Sequence, residues 1–324
     1  MKKPLSMAVA AWCALIAAMP SVCAQDYPAQ TIKMIVAFGA GGGSDIVSRI
    51  IAQRMQDKLG QPVIVENRPG AGGLIGNEAV ANVAKDGYTI ANMSAGQIIA
   101  SAMTKQMKFD PIGAFDPISQ VAEAGLIVAV RPDYPVKTVK DLIELAKAKP
   151  DEIVFASPGF GATQHLAAEL FMQVAGIKMR HVPFRTSPDA ISALLGQQVH
   201  VLFDTVTALI GQVQSNELRA VAVTGKERFP AVPEVPTVLE SGLMPGYDVS
   251  TWYGFFGPKG MPPAVIAKLN ATMNDIIKEK DVAERLTKVG VIVKGSTPEA
   301  FGALLASEYK KWSDVRDKAG LQQR

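Results

Sequence analysis

A glycine-rich run that ends in a hydroxyl and an acid is the part of this sequence best suited to bind a small molecule. It reads Phe38-Gly39-Ala40-Gly41-Gly42-Gly43-Ser44-Asp45 and separates an apolar stretch from an amphipathic one. Glycine lets the backbone approach a ligand, and the free amides that begin a helix carry partial positive charge. The run predicts an anion-binding loop, with Asp45 orienting the loop because its charge would repel an anionic ligand.

Two other interpretations of this run stay open. Gly39-x-Gly41 with Glu66 at the end of the next apolar stretch is similar to a dinucleotide fingerprint, although Ser44 stands where the third glycine belongs. A tight strand-to-helix turn without any ligand would use the same glycines.

Further candidates lie in the loops that follow other predicted strands. Ligands of open α/β sheets bind beyond the carboxyl ends of the strands, so these loops are where site residues are expected. We predict contributions from Ser94, Ala95, Gly96, Ser157, Phe160, Gly161, Ala162, Thr163, His165, Phe184, Arg185, Asp204 and Thr205.

Three of these side chains have competing roles. The ring of Phe160 indicates a less polar or aromatic carboxylate ligand, or ordinary packing. Arg185 could pair with a second carboxylate or lie in solvent, where most arginines lie. Asp204 could orient a water or a distal ligand group, or it could cap the helix that follows.

Catalytic and metal sites are not predicted. Ser157, His165 and Asp204 are the residue types of a hydrolase triad, but the sequence has no Gly-x-Ser-x-Gly motif, which forms the nucleophile elbow of many hydrolases. The three histidines are far apart in the sequence, so no zinc site is expected. No cofactor is predicted either.

The first 24 residues have the pattern of a secretory signal peptide. Lys2 and Lys3 precede an uncharged apolar stretch too short to span a bilayer, and cleavage is expected after Ala24. Both cysteines, Cys13 and Cys23, lie in this segment, and Val22 before Cys23 does not favour a lipoprotein anchor. We therefore expect a periplasmic protein without thiols.

The charge balance excludes some partners. Of 33 basic residues, Lys2 and Lys3 are lost with the signal peptide, which leaves 31 against 30 acidic residues. A net charge of +1 gives no reason to expect nucleic acid as a partner.

Apolar runs alternate with amphipathic segments along the rest of the chain, which predicts an α/β protein with a parallel sheet covered by helices. Thr138 to Ala148 is predicted to be a helix that Thr138 and Asp141 cap. The expected strands are 32–38, 63–66, 88–93, 126–130, 153–156, 180–182, 199–203 and 218–223.

Turn-rich segments at 111–117 and 230–246 predict two crossings between domains. About 300 residues normally form two domains. We assign 25–125 plus 250–324 to domain 1 and 126–249 to domain 2.

Several blocks in the chain resemble one family, the TctC or Bug substrate-binding components of tripartite tricarboxylate transporters. The blocks fall in the family's order over almost the whole mature chain: 35–45, 59–73, Asp86-Gly87-Tyr88-Thr89, His181-Val182-Pro183-Phe184, 218–224 and 233–237. The resemblance implies the type II periplasmic-binding fold, with two α/β domains, a ligand cleft between them and a two-segment hinge.

The resemblance also implies the function. It leads us to expect a receptor that captures a small carboxylate or dicarboxylate, acts as a monomer and delivers the ligand to a membrane permease. A periplasmic sensor with another partner, and a periplasmic enzyme, are the alternatives.

Overall fold

The computed structural model describes residues 27–104 and 107–319, so the predicted signal peptide lies outside the described residues. The strands are β1 (Ile32–Val36), β2 (Val63–Asn67), β3 (Thr89–Ser94), β4 (Phe115–Val130), β5 (Val154–Ser157), β6 (Arg180–Pro183), β7 (Val201–Thr205), β8 (Arg219–Val223), β9 (Ser250–Pro258) and β10 (Ile292–Val293). The helices are α1 (Gly43–Leu59), α2 (Leu74–Ala81), α3 (Ala95–Met103), α4 (Val139–Ala148), α5 (Thr163–Ala175), α6 (Ser187–Leu195), α7 (Val206–Gln214), α8 (Pro263–Ile276), α9 (Lys280–Lys288) and α10 (Pro298–Ala319).

The long strand β4 belongs to two groups of strands. Its first part, Phe115 to Gly125, pairs with β9. Its last part, Leu126 to Val130, pairs with β7 and β8. The strand order is β2-β1-β3-β9-β4-β7-β5-β6, so β4 connects one α/β unit to the other.

Each of the two α/β domains has its own apolar core. In the first, α1 covers β1 and β3 with Val47, Ile51 and Met55, which are fully buried. In the second, α5 covers the sheet with Phe171, whose ring meets Phe203 of β7 edge to face at 5.8 Å. These cores fix the positions of the loops that emerge at the carboxyl ends of the strands.

Thr224 joins the two segments that cross between the domains. Its backbone N–H donates to the Leu126 carbonyl over 3.0 Å, and its hydroxyl donates to the Val249 carbonyl over 2.6 Å. The Leu126 N–H in turn donates to the Thr224 hydroxyl over 3.1 Å. Because Thr224 is fully buried, water does not replace these bonds. The domain boundaries given above stay a prediction.

The prediction of an α/β fold is confirmed, and the predicted α4 helix has Thr138 and Asp141 as a capping box. The prediction of a parallel sheet is right for β1 with β2 and β3, and for β5 with β6 and β7. It is wrong for β4, β8, β9 and β10, which pair in antiparallel fashion. Within the described residues, no helix is long and apolar enough to span a bilayer.

Candidate functional site

A cleft between the two domains forms the candidate site, with about 370 Å³ of space including solvent at its mouth. The first domain contributes Phe38, Gly39, Gly42, Gly43, Ser44, Ser94, Thr251 and Tyr253 to the lining. The second contributes Pro158, Thr163, Gln164, Thr186, Ser187 and Thr205.

Five helices begin at this cleft. α1 and α3 come from the first domain, and α5, α6 and α7 come from the second, and each presents its N-cap or first residues to the lining. The first amides of a helix lack intrahelical acceptors, and the helix dipole adds partial positive charge there. The cleft is therefore electropositive although no charged side chain is among its lining residues.

Two of these helices keep their first amides free of side-chain caps. The N-cap residues are Gly42 for α1 and Ala162 for α5, and neither has a side-chain cap bond. In contrast, the hydroxyls of Thr186 and Thr205 accept backbone N–H groups of α6 and α7. One uncapped helix terminus in each domain thus faces the cleft and can donate to an anionic group.

Asp45 fixes the glycine-rich loop through hydrogen bonds and is not among the residues that line the cleft. It accepts hydrogen bonds from the Gly41 N–H, Arg49 Nε and Asn67 Nδ2, over 2.9 to 3.0 Å. Burial alone would raise the pKa of Asp45, but these donors hold it below its ordinary value. These contacts fit the loop-orienting role predicted for Asp45.

Asp204 is fully buried directly behind the cleft wall. Its Oδ1 accepts the Thr205 N–H over 2.7 Å and Gln164 Nε2 over 3.2 Å. Burial raises the pKa of Asp204 to about 6, although hydrogen bonds from Ser187, Thr205 and Gln164 oppose the rise. The helix-cap interpretation of Asp204 is wrong, because Thr205 caps α7.

The loop 157–163 is fixed by a serine and two histidines. Ser157 donates to the Gly159 carbonyl over 3.0 Å and lies 2.8 Å from His181 Nε2. With the hydroxyl hydrogen on the Gly159 carbonyl, His181 Nε2 would be the donor of the second contact. The Gly161 N–H donates to His165 Nδ1 over 3.2 Å.

The expectation that the histidines lie apart is wrong for one pair. The rings of His165 and His181 stack with centroids 4.0 Å apart. Burial, with His165 adding to its effect, lowers the pKa of His181 to about 3, so this ring is neutral. Among the described residues, no group of three or more histidines, cysteines or acids could hold a metal ion.

The other predicted side chains lie outside the lining. Phe160 is 46% exposed and packs against His165 with ring centroids 4.7 Å apart. Arg185 is exposed, and Phe184 packs at the edge of an apolar core. Ala40, Gly41, Ala95, Gly96, Gly161 and Ala162 flank the cleft without being among its lining residues.

Six lining residues were not predicted: Pro158, Gln164, Thr186, Ser187, Thr251 and Tyr253. Thr186 before Ser187-Pro188 is a helix-start signal that could have pointed to α6. Tyr253 is 1% exposed, and its hydroxyl has no hydrogen bond of standard geometry although Thr205 and Thr207 lie beside it. Nothing in its local sequence indicates this position.

Glycines of the first domain let the second domain approach closely. A Cβ atom on Gly43 would lie 2.9 Å from Thr205 Oγ1 of the second domain. One on Gly39 would lie 2.4 Å from Thr186 Cγ2. These distances leave no room for a side chain, so the domains are in a closed arrangement.

Two α/β domains closed over a cleft of neutral donors define a periplasmic-type solute-binding protein. The chain belongs to the tripartite tricarboxylate transporter receptor family (TctC), whose family pattern matches residues 47–321. It is 34% identical to the protein BugT of Bordetella pertussis over 303 residues, 93% of each chain.

Solved structures agree with this assignment. The periplasmic binding protein BugD is 34% identical, with a TM-score of 0.88, over 92% of this chain and all of that one. The R. palustris protein Rpa4515 with adipate is 30% identical, with a TM-score of 0.87, over 91% of this chain and 99% of that one. The predicted family and its two-domain fold are confirmed.

Proposed function

We propose that this protein is a periplasmic receptor that captures a small carboxylate between its domains and delivers it to a membrane permease of the tripartite tricarboxylate type. The observation that carries the proposal is the convergence of five helix N-termini on one cleft without a charged side chain in its lining. Such a site suits an anion held by backbone amides and hydroxyls.

The two uncapped helices favour a dicarboxylate. One carboxylate group would accept hydrogen bonds from the backbone N–H groups of Gly43 and Ser44 in the first domain, and the other would accept them from Thr163 and Gln164 in the second. Adipate, the compound named with Rpa4515, is a dicarboxylate and supports this assignment. Phe38 is the lining ring that would contact the carbon chain.

The remaining predicted residues would act through the loops that carry them. Asp45 would hold the first loop, and Ser157 and His165 would hold the loop before α5, through the bonds described above. Phe160 and Arg185 would lie at the rim. Catalysis is not part of the proposal, because Ser157 is fully buried and its hydrogen is bound to a carbonyl group.

Capture would work by closure. A ligand that contacts both domains binds the closed form better than the open form, and this difference in affinity shifts the population. Thr224 and the strands it joins would form the hinge. The permease would then recognise the closed shape of the monomer.

Calorimetric titration of the mature chain with adipate, and separately with its uncharged diamide, tests the proposal. Adipate is expected to bind one molecule per chain, and the diamide, which lacks charge for the helix termini, is expected to bind at least tenfold more weakly. Equal affinity for the two compounds would refute an anion site. The diamide is the matched control, because its chain length and shape are the same.

A further inference from the structure

Asp204 is a buried acid whose hydrogen-bond partners form the cleft wall. Gln164 and Thr205 donate to its Oδ1, Ser187 lies beside it, and all three line the cleft. Asp204 itself is fully buried, and its Oδ2 has no hydrogen bond of standard geometry. The carboxyl group is therefore one residue layer from any ligand in the cleft and shielded from solvent.

The neighbouring elements supply Asp204 with no balancing cation among the described residues. On β9 the nearby titratable group is Tyr253, whose pKa is raised by burial and further by the charge of Asp204. β4 places Ile127 opposite it. On α5, His165 has its ring nitrogens bonded within its own loop and helix, and on α6, Asp189 is exposed and acidic.

We propose that capture of a carboxylate by this cleft takes up one proton, which Asp204 holds. This inference rests on the proposed function. A ligand carboxylate at the helix termini would stand close to Asp204 with little water between them, and two such charges repel strongly in a medium of low dielectric. Protonation of Asp204 removes the repulsion.

The closed form without a ligand is already close to this protonation. With a pKa of about 6, Asp204 is mostly ionised at neutral pH, and a nearby anion raises the pKa further. In the pH range between the pKa values of the free and bound forms, binding of one proton makes the Kd rise tenfold for each pH unit. The receptor would thus bind more tightly as the pH falls toward 6.

The test is calorimetric titration with adipate at pH 7.0 in phosphate and in imidazole, whose enthalpies of ionisation differ. The difference between the two observed enthalpies, divided by the difference between the ionisation enthalpies of the buffers, gives the number of protons taken up. We expect the natural chain to take up between about 0.5 and 1 proton for each adipate bound, and D204N to take up about 0. D116N is the control, because Asp116 is also buried but is paired with Lys259, and neither residue lines the cleft.

The outcomes separate this inference from the proposed function. Binding of adipate without proton uptake, or with equal uptake by D204N, overturns the inference and leaves the receptor proposal standing. Uptake that is lost in D204N and kept in D116N supports it. If adipate does not bind, malate, citrate and benzoate replace it in turn, and failure of all four carboxylates to bind overturns the proposed function and this inference with it.

Should D204N fail to fold, the natural chain alone decides the question. Carbon-13 NMR titration of its aspartate carboxyl groups then reads the pKa of Asp204 with and without adipate. A rise of at least one pH unit on binding supports proton uptake, and an unchanged value overturns it.

Discussion

Gly96 of α3 and Thr163 of α5 meet across the cleft, one from each domain. A Cβ atom on Gly96 would lie 2.9 Å from Thr163 Oγ1 and 3.0 Å from its backbone nitrogen. Gly96 has ordinary helical geometry, so the contact with the other domain, rather than the backbone, requires glycine here. Closure of the cleft therefore depends on the absence of a single methyl group.

The first prediction is that G96A opens the clamp. Alanine favours the helix by up to about 1 kcal/mol but overpacks the closed form by about 1 to 3 kcal/mol. We expect the affinity for adipate to fall about tenfold or more, and the radius of gyration in X-ray scattering to increase. G211A is the control, because Gly211 lies in α7 with no atom within 4 Å of such a methyl group. Equal affinities for the two variants would contradict the closure account.

The second prediction concerns two buried tyrosines with opposite roles. Y253F should lower adipate affinity about tenfold without lowering the melting temperature, because Tyr253 lines the cleft and its hydroxyl has no hydrogen bond of standard geometry within the protein. Y247F should do the reverse and cost about 1 kcal/mol of stability, since the Tyr247 hydroxyl donates to the Ala167 carbonyl. A loss of stability in Y253F with unchanged affinity would show that Tyr253 only packs.

The third prediction is a pH-dependent stability difference caused by Asp204. Its folded pKa of about 6 lies above the unfolded value of 3.8, so its favourable contribution is complete below pH 3.8 and is lost as the pH rises through 6. The natural chain should lose about 3 kcal/mol relative to D204N between pH 3.8 and pH 7. Urea unfolding of both proteins across this range measures the difference. Parallel pH profiles would show that the carboxyl group titrates normally.

The fourth prediction tests the junction of the crossing segments. T224V removes the hydroxyl that bridges Leu126 and Val249, which leaves buried backbone groups unpaired and should cost about 1 to 3 kcal/mol of the free energy of unfolding. T272V, at a half-buried site on α8 outside the crossing segments, should stay within about 0.5 kcal/mol. T224S restores the hydroxyl and should recover most of the lost free energy of unfolding. If T224S is as unstable as T224V, the loss comes from packing and not from the hydrogen bonds.

Local sequence predicts the loops of this protein better than its long strands. The glycine-rich run and the α4 cap depend on neighbouring residues, and both occur where expected. β4 was predicted only from Leu126 onward, because Pro117 and Gly125 suggest breaks. The strand continues through Pro117 at a shift of register against β9, which is where a sheet tolerates proline.

The cleft lining was only partly predictable for a related reason. Ser94 and Thr205 end strands, and Ser44 and Thr163 lie in the first turns of the helices that follow strands, so their places at the cleft come from a general rule of α/β sheets. Tyr253 lies within β9, far along the chain from the loops it faces, and only strand pairing brings it there. Its role depends on the tertiary fold, which no short pattern encodes.

Thermal unfolding of the mature chain against a set of ligands tests the central claim most directly. The set contains adipate, malate, citrate, benzoate and NAD, each supplied over a range of concentrations. A specific ligand at about 100 times its Kd should stabilise the protein by about 2.7 kcal/mol. A carboxylate receptor predicts a concentration-dependent rise in melting temperature with at least one carboxylate and none with NAD, and a rise with NAD alone would contradict it.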